Sequence, residues 1–147
     1  MKTKTTVILG GISGSFIEIT EIMRFSDGSG YQSLLSINSG EFSCSNHPFY
    51  FNDLESFSKS VLQAYDMVDG NARLGGVYEK DFIEISVERK GLVEVSGLIY
   101  DYKEPQQEMH FAFKSDQTFL PELLRTLTQV SKELEGRALP ALYQDSV

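Results

Sequence analysis

Residues 108–127, EMHFAFKSDQTFLPELLRTL, contain the junction that decides the fold. Apolar residues in the first half alternate with polar ones, as in a strand with one buried face: Met109, Phe111 and Phe113. The second half has leucines at helical spacing: Leu120, Leu123, Leu124 and Leu127. Pro121 must lie in the first helical turn, because deeper in the helix its ring would clash with a preceding carbonyl. The sequence therefore predicts a strand, then a helix that begins near Thr118–Pro121 and folds back onto the sheet.

Apolar alternation and turn residues predict further short strands on the N-terminal side of this junction. They cover residues 5–9, 15–23, 31–37, 41–45, 72–78, 82–88 and 92–102. In the last of these, the apolar positions change parity after Gly97, which predicts a bulge at or near Gly97.

A second helix is predicted in the middle of the chain, within residues 51–68, where apolar residues recur at helical spacing. Asn52 is the predicted N-cap, and Glu55 three residues later would complete a capping box. The sequence DGN at residues 69–71 ends this helix.

The predicted fold is α+β, with a curved antiparallel sheet of about eight strands covered on one face by two helices. The chain has 147 residues, 41% of them hydrophobic, and shows no linker or repeat. We therefore expect a single domain over residues 1–147, with a tail after about residue 136 that shows no clear period and either packs through its leucines or is loose.

The chain is acidic, with 21 Asp and Glu residues against 13 Lys and Arg and a net charge of −8. This balance argues against nucleic acid or an anionic membrane as a partner, since both attract basic surfaces. It permits a basic protein partner, although many proteins are acidic simply for solubility.

Targeting features are absent from the N-terminal sequence, whose apolar run is too short for a signal peptide. Cys44 is the only cysteine, which excludes an internal disulfide. A cytoplasmic location is the expectation that remains.

A search for reactive groups gives no active site and no expected cofactor. Cys44 and His47 have C-x-x-H spacing, but no second pair completes a metal site, so we read them as a core thiol and a surface histidine. His110 stands alone on a polar strand face. Glu84 and Glu94 could face each other across a hairpin, although chance pairs are expected among so many carboxylates.

Two acidic groups are candidates for binding a protein partner. Asp66 and Asp69 lie at the C-terminal end of the predicted middle helix, where the helix dipole disfavours anions. The second group occupies predicted loops and strand ends: Glu79, Asp81, Asp101 and Glu104. The plain alternative is that both groups are solvated surface.

Four segments between residues 42 and 135 together resemble the bacterial WapI-like immunity proteins and related uncharacterised families. They are PFYFNDLESFSKSVLQAY (48–65), EKDFIEISV (79–87), LVEVSGLIYDY (92–102) and MHFAFKSDQTFLPELLRTL (109–127). The resemblance implies a non-enzymatic antitoxin that binds and neutralises a cognate toxin protein, and it transfers no catalytic residue.

Two other hypotheses stay open beside the immunity protein. A small-ligand-binding or structural module would use a cavity between the sheet and the helices. An enzyme would need His47 or His110 to lie near a carboxylate inside a cleft. The sequence also leaves a homodimer open.

Overall fold

The computed structural model describes the backbone of residues 6–103 and 105–145, and the side chains of these residues as far as residue 135. The first strands are β1 (Val7–Gly10), β2 (Phe16–Arg24), β3 (Tyr31–Ser39) and β4 (Phe42–Phe51), followed by helix α1 (Leu54–Met67). The second half contains β5 (Gly70–Gly75), β6 (Phe82–Glu88), β7 (Leu92–Asp101) and β8 (Gln107–Asp116). A 3-10 turn (Gln117–Phe119) and helix α2 (Leu120–Asp145) follow β8.

The strands pair in chain order in two antiparallel sheets, which we call the N-terminal sheet (β1–β4) and the C-terminal sheet (β5–β8). The predicted α+β class, with eight antiparallel strands and two helices, is confirmed. We expected one continuous curved sheet, and the strands instead divide because β4 leads into α1 and does not pair with β5. A backbone hydrogen bond from Asn52 N–H to the Gly75 carbonyl, 3.2 Å long, links the two sheets at this point.

Both helices pack on one hydrophobic core that is shared by the two sheets. Helix α1 lies mainly against β5 and α2, with a smaller contact to β6, whereas α2 lies against α1, β1 and β2. Of the predicted apolar positions of α2, Leu120, Leu123 and Leu127 are buried and Leu124 is half-buried against the core; Val130 and Leu134 continue the buried stripe. Helix α1, which follows the N-terminal sheet in the chain, therefore covers strands of the C-terminal sheet, and α2, which follows the C-terminal sheet, covers strands of the N-terminal sheet.

Helix α1 begins one residue later than predicted. Asp53 is the N-cap, and its carboxylate accepts a hydrogen bond of 3.0 Å from the Ser56 backbone N–H. Asn52 instead donates its side-chain amide to the Ser29 carbonyl and accepts from the Val77 N–H. The amide of Asn52 is thus used to join loops, and the neighbouring carboxylate caps the helix.

The start of α2 agrees with the prediction. The 3-10 turn follows β8 directly, and the Asp116 carboxylate accepts a hydrogen bond of 2.9 Å from the Thr118 N–H. Pro121 is the second residue of α2 and lies in its first turn. The helix continues to Asp145, and the packing of side chains after residue 135 lies outside the described residues.

The predicted bulge at Gly97 is wrong, because β7 keeps an unbroken register with both β6 and β8. Val93, Val95 and Ile99 are buried on the core face, and Gly97 stays in line with them. A Cβ at Gly97 would clash with the Phe82 carbonyl oxygen and lie 2.7 Å from the Phe111 Cζ, so the neighbouring backbone and the Phe111 ring leave no room for a side chain. The parity change has another cause: Tyr100 is also buried, on the opposite face of β7.

No helix in the described part of the chain is both long and apolar enough to cross a membrane.

Candidate functional site

A cleft of about 750 Å³ opens between β4 of the N-terminal sheet and the tip of the β7–β8 hairpin. The loop at residues 76–81, which joins β5 to β6, contributes to its lining. The cleft does not lie between a sheet and the helices, where we expected any ligand cavity. It is formed where the two sheets separate, so groups from both sheets face each other across it.

A bulge in β4 shapes one wall of the cleft. Leu35 pairs with His47 and Ile37 pairs with Cys44, so two residues of β4 lie opposite one residue of β3. Asn46 in this bulge has a φ of 52°, and its N–H donates to the Ser36 hydroxyl at 3.1 Å. Bulges re-aim neighbouring side chains, and Cys44 and His47 both line the cleft.

His47 and Asp81 form a short contact across the cleft, with 2.6 Å between Nε2 and Oδ2. The Asp81 side chain is 3% exposed and also accepts a hydrogen bond of 3.2 Å from the Tyr100 N–H. The Asp81 carboxylate accepts this hydrogen bond in the tautomer that carries a proton on the His47 Nε2. The pair therefore joins β4 of one sheet to the start of β6 and to β7 in the other.

Four tyrosines line the cleft, namely Tyr50, Tyr78, Tyr100 and Tyr102. Tyr78 is 92% exposed at the tip of the 76–81 loop. Tyr100 and Tyr102 stack edge to face with their ring centroids 4.5 Å apart, and the Lys80 ammonium lies 4.4 Å from the Tyr100 centroid. The Lys80 N–H donates to the Tyr102 hydroxyl at 2.9 Å, which fixes the loop against β7. Three of the four rings, those of Tyr50, Tyr78 and Tyr102, are exposed to solvent, whereas Tyr100 is buried.

The charge of the cleft is predominantly negative. Its described lining contains four carboxylates and one lysine: Glu79, Asp81, Asp101, Glu108 and Lys103. Burial raises the pKa of the Cys44 thiol, and the nearby Asp101 and Asp81 carboxylates add to the effect. The thiol is therefore held in its neutral form and is a poor nucleophile at neutral pH.

The structure brings together part of one predicted acidic group. Glu79 and Asp101 lie at the surface of the cleft. Asp81 lies in its wall, where the carboxylate faces His47 and the Tyr100 N–H instead of solvent. Glu104 lies outside the described residues.

The other predicted acidic group lies apart from the cleft. Asp66 is exposed near the end of α1, and Asp69 lines a separate hollow beside Arg89. Neither residue lines the cleft. The two predicted groups therefore do not form one acidic surface.

The histidines differ from each other in the structure. His110 is exposed, as predicted, and lies 3.8 Å from the Glu108 carboxylate. His47 is not the surface histidine that we expected, since its side chain is 16% exposed. The geometric condition that we set for an enzyme, a histidine beside a carboxylate in a cleft, is therefore met by His47.

Two other candidate sites, a metal site and a pair of facing carboxylates, do not form among the described residues. No group of three or more His, Cys, Asp or Glu side chains there could hold a metal ion. Glu84 faces Ser96 and Glu94 faces Ser86, so the carboxylate pair does not form across the hairpin. Glu84 instead lies 3.9 Å from Arg73 on the neighbouring strand.

Sequence reasoning missed the His47–Asp81 pair and the tyrosines of the cleft. Their separation of 34 residues gives the pair no local pattern. The tyrosines did leave a pattern, since Tyr100 and Tyr102 cause the parity change after Gly97. A strand with apolar residues on both faces near its end was a sign of a second packed surface.

Comparisons with known proteins agree with the resemblance found in the sequence. The model of the immunity protein WapI-like family matches residues 8–135. A search of curated proteins and a search of solved structures gave no significant match. The matched range includes both sheets, α1 and the described side chains of α2, so it extends beyond residues 42–135 to the N-terminal strands. The chain therefore belongs to the WapI-like family of immunity proteins.

Proposed function

We propose that this protein is an antitoxin that acts in the cytoplasm by binding a cognate toxin protein through the cleft between its two sheets. Family membership supports an immunity function. The observation that carries the choice of surface is the cleft itself, which combines exposed tyrosines with carboxylates. Tyrosines are enriched among the residues that dominate binding energy at protein interfaces.

The negative charge of the cleft supports a basic surface on the toxin. Complementary charge raises association rates and excludes partners of the wrong sign. Tyr78 supplies the apolar anchor, because its ring has almost no contact with its own chain and would be buried on binding. Glu79 and Asp101 flank the same cleft and would form the charged rim.

The test is binding to the toxin domain encoded beside the gene, measured by calorimetry with the wild-type chain and two variants. Tyr78→Ala is expected to cost about 2 kcal/mol or more, which is roughly a 30-fold higher Kd. The matched control is Met67→Ala, which removes an exposed apolar side chain at the end of α1, outside the cleft. Equal Kd values for Tyr78→Ala and wild type would exclude the cleft, and no complex at micromolar concentration would exclude the antitoxin.

We also propose that inhibition is steric and needs no catalysis. The Asp81 carboxylate is shared between His47 and the Tyr100 N–H, which suits a link between the sheets. A general base would require the imidazole to be presented to a substrate. His47→Gln is expected to protect a toxin-expressing cell as wild type does, and complete loss of protection by a folded His47→Gln protein with unchanged Kd would indicate catalysis.

A small-ligand module is the second candidate, because the volume of the cleft falls within the range of ligand pockets. Native mass spectrometry of the purified chain distinguishes the two candidates. A retained small molecule, displaced by Tyr78→Ala, would favour the ligand module, whereas an unliganded mass together with toxin binding favours the antitoxin.

A further inference from the structure

The outer edge of β8 is the edge that faces away from β7, and hydrogen bonds show which of its residues point outward. The Tyr100 N–H donates to Asp81, beyond the end of β6, so it points away from β8. Tyr100 lies opposite Glu108. In an antiparallel pair both partners then direct their backbone groups outward, so the N–H and C=O of Glu108 point away from β7.

The same alternation is seen farther along β8. The Lys114 carbonyl accepts from the Ile12 N–H at 2.9 Å, and the Ala112 carbonyl accepts from the Ser39 hydroxyl at 3.4 Å. Both carbonyls therefore point to the outer edge. Because the pattern repeats every second residue, the N–H and C=O of His110 point there as well.

The outer edge of β8 is thus covered in one part and open in another. Ile12 covers the edge at Lys114, and Ser39 covers it at Ala112. Among the described residues, none forms a hydrogen bond with the backbone of Glu108 or His110 on this edge. Glu108 lines the cleft and His110 lines an adjoining hollow, so there is open space beside this part of the strand.

The open part of β8 lies along a groove. Met109 lines both the cleft and an adjoining hollow of about 300 Å³ beside Phe42. The groove therefore runs along β8 past Glu108 and His110. An unpaired strand edge beside a groove is the geometry at which an extended peptide can add as a further strand.

The opposite wall of the groove is less suited to strand addition. The Phe49 carbonyl accepts from the Ser33 hydroxyl of β3, so the backbone groups of Phe49 point towards β3. Those of Pro48 and Tyr50 therefore point away from β3, and Pro48 has no N–H to donate. The bulge at Asn46 further interrupts this edge. Along the groove, only β8 offers outward-pointing N–H and C=O groups at two successive edge positions, Glu108 and His110.

We propose that an extended, basic segment of the toxin protein adds to the outer edge of β8 as a fifth strand of the C-terminal sheet. The inference rests on the proposed function and specifies its mode of binding. The backbone groups of Glu108 and His110 pair with the segment. The basic character follows from the cleft lining, where three carboxylates that are not buried, Glu79, Asp101 and Glu108, lie beside one lysine, Lys103.

Hydrogen–deuterium exchange of the free chain and of its complex with the adjacently encoded toxin domain tests this mode. The amides of Glu108 and His110 are expected to exchange quickly in the free chain and about tenfold or more slowly in the complex. Met109 and Phe111 are internal controls, because their amides point to β7 and are expected to be slow in both samples.

A matched pair of variants tests the same bond by affinity. His110→Pro removes the outward donor without removing a bond to β7, and it is expected to raise the Kd of the complex about tenfold. His110→Ala removes the same side chain and keeps the N–H, so the ratio of the two Kd values isolates the backbone donor and is expected to be about tenfold. Thermal unfolding of both variants checks that each is folded, and exchange on the wild-type chain decides the question if His110→Pro is not.

The outcomes separate the mode of binding from the proposed function. A complex that forms without added protection at Glu108 and His110 overturns strand addition and leaves the antitoxin intact. Absence of any complex overturns both. Protection of these amides in the free chain, together with a dimeric mass in solution, would show that a second copy occupies the edge and would also overturn the proposal.

Discussion

The two sheets have the same connectivity but differ in regularity. The C-terminal sheet keeps its register through every pair of strands. The N-terminal sheet shifts register between Thr20 and Met23 and again between Leu35 and Ile37. Two of the non-glycine residues with positive φ, Glu21 and Asn46, lie at these shifts. Irregular pairing is thus concentrated in one sheet.

This difference indicates how the candidate site is built. The regular C-terminal sheet supplies the edge of β8 along the cleft and the buried Tyr100 of β7. The irregular N-terminal sheet supplies a strand whose bulge, at Asn46, immediately precedes His47. The C-terminal sheet therefore forms a regular wall of the cleft, and the bulge in the N-terminal sheet directs the His47 side chain across the cleft to Asp81.

The largest expected effect tests whether the bulged sheet is packed as tightly as the regular one. Leu35 in β3 and Leu74 in β5 are 1% and 2% exposed. We expect Leu35→Ala and Leu74→Ala each to lower the free energy of unfolding by about 2–5 kcal/mol, because each leaves a core cavity. Denaturant unfolding measures both. A cost below about 1 kcal/mol for Leu35→Ala alone would show that the irregular sheet is loosely packed.

A smaller effect is expected at the link between the sheets. Asp81→Ala leaves the buried Tyr100 N–H without its partner and should cost about 1–3 kcal/mol of unfolding free energy. His47→Ala removes the imidazole from the His47–Asp81 contact but leaves the hydrogen bond between Asp81 and the Tyr100 N–H. The double variant should cost less than the sum of the single variants by about 0.5 kcal/mol or more. Strict additivity in this double-mutant cycle would contradict a link through His47 and Asp81.

The smallest effect is expected at the start of α1, where Asp53 is the N-cap. The pKa of Asp53 is lowered by hydrogen bonds from the Ser56 backbone N–H and then from the Ser56 hydroxyl. The native state therefore binds this proton less readily than the unfolded state, whose ordinary value is 3.8. The stabilisation is present above that value and is lost as the pH falls through the lowered pKa.

We expect Asp53→Ala to lower the free energy of unfolding by about 1 kcal/mol near neutral pH, with a smaller difference from wild type at about pH 2.5. Asp53→Asn keeps an N-cap acceptor and serves as the control without this titration. Thermal unfolding across this pH range measures all three proteins. A difference between wild type and Asp53→Ala that stays constant with pH would contradict the role assigned to the Asp53 carboxylate.

Elements that depend on local patterns could be predicted from the sequence. The strand–proline–helix junction at residues 109–127 combines a period of two, a conformational restriction and a period near 3.6, and all three lie within a few residues. Strand alternation likewise located all eight strands, although β4 continues to Phe51, beyond the predicted end at residue 45. The division into two sheets could not be predicted, because it depends on where β4 ends relative to β5 in space.

The site was predictable only in part for the same reason. Glu79 and Asp101 were recognised from charge and turn position, and both lie on the cleft. Asp81 was grouped with them, although its side chain is buried, because sequence shows a carboxylate but not its partners. Asn52 and Asp53 were similarly ambiguous, since either residue type can cap a helix and the choice depends on distant loops.

The exchange of helices between the halves has a consequence for folding. Residues up to Met67 supply the helix that lies on β5 and β6, and the residues after β8 supply the helix that lies on β1 and β2. A polypeptide cut between α1 and β5 would therefore yield two fragments, each with an uncovered apolar sheet. We expect neither fragment to be stable alone, the mixed fragments to reassemble, and the intact chain to unfold in a single cooperative transition.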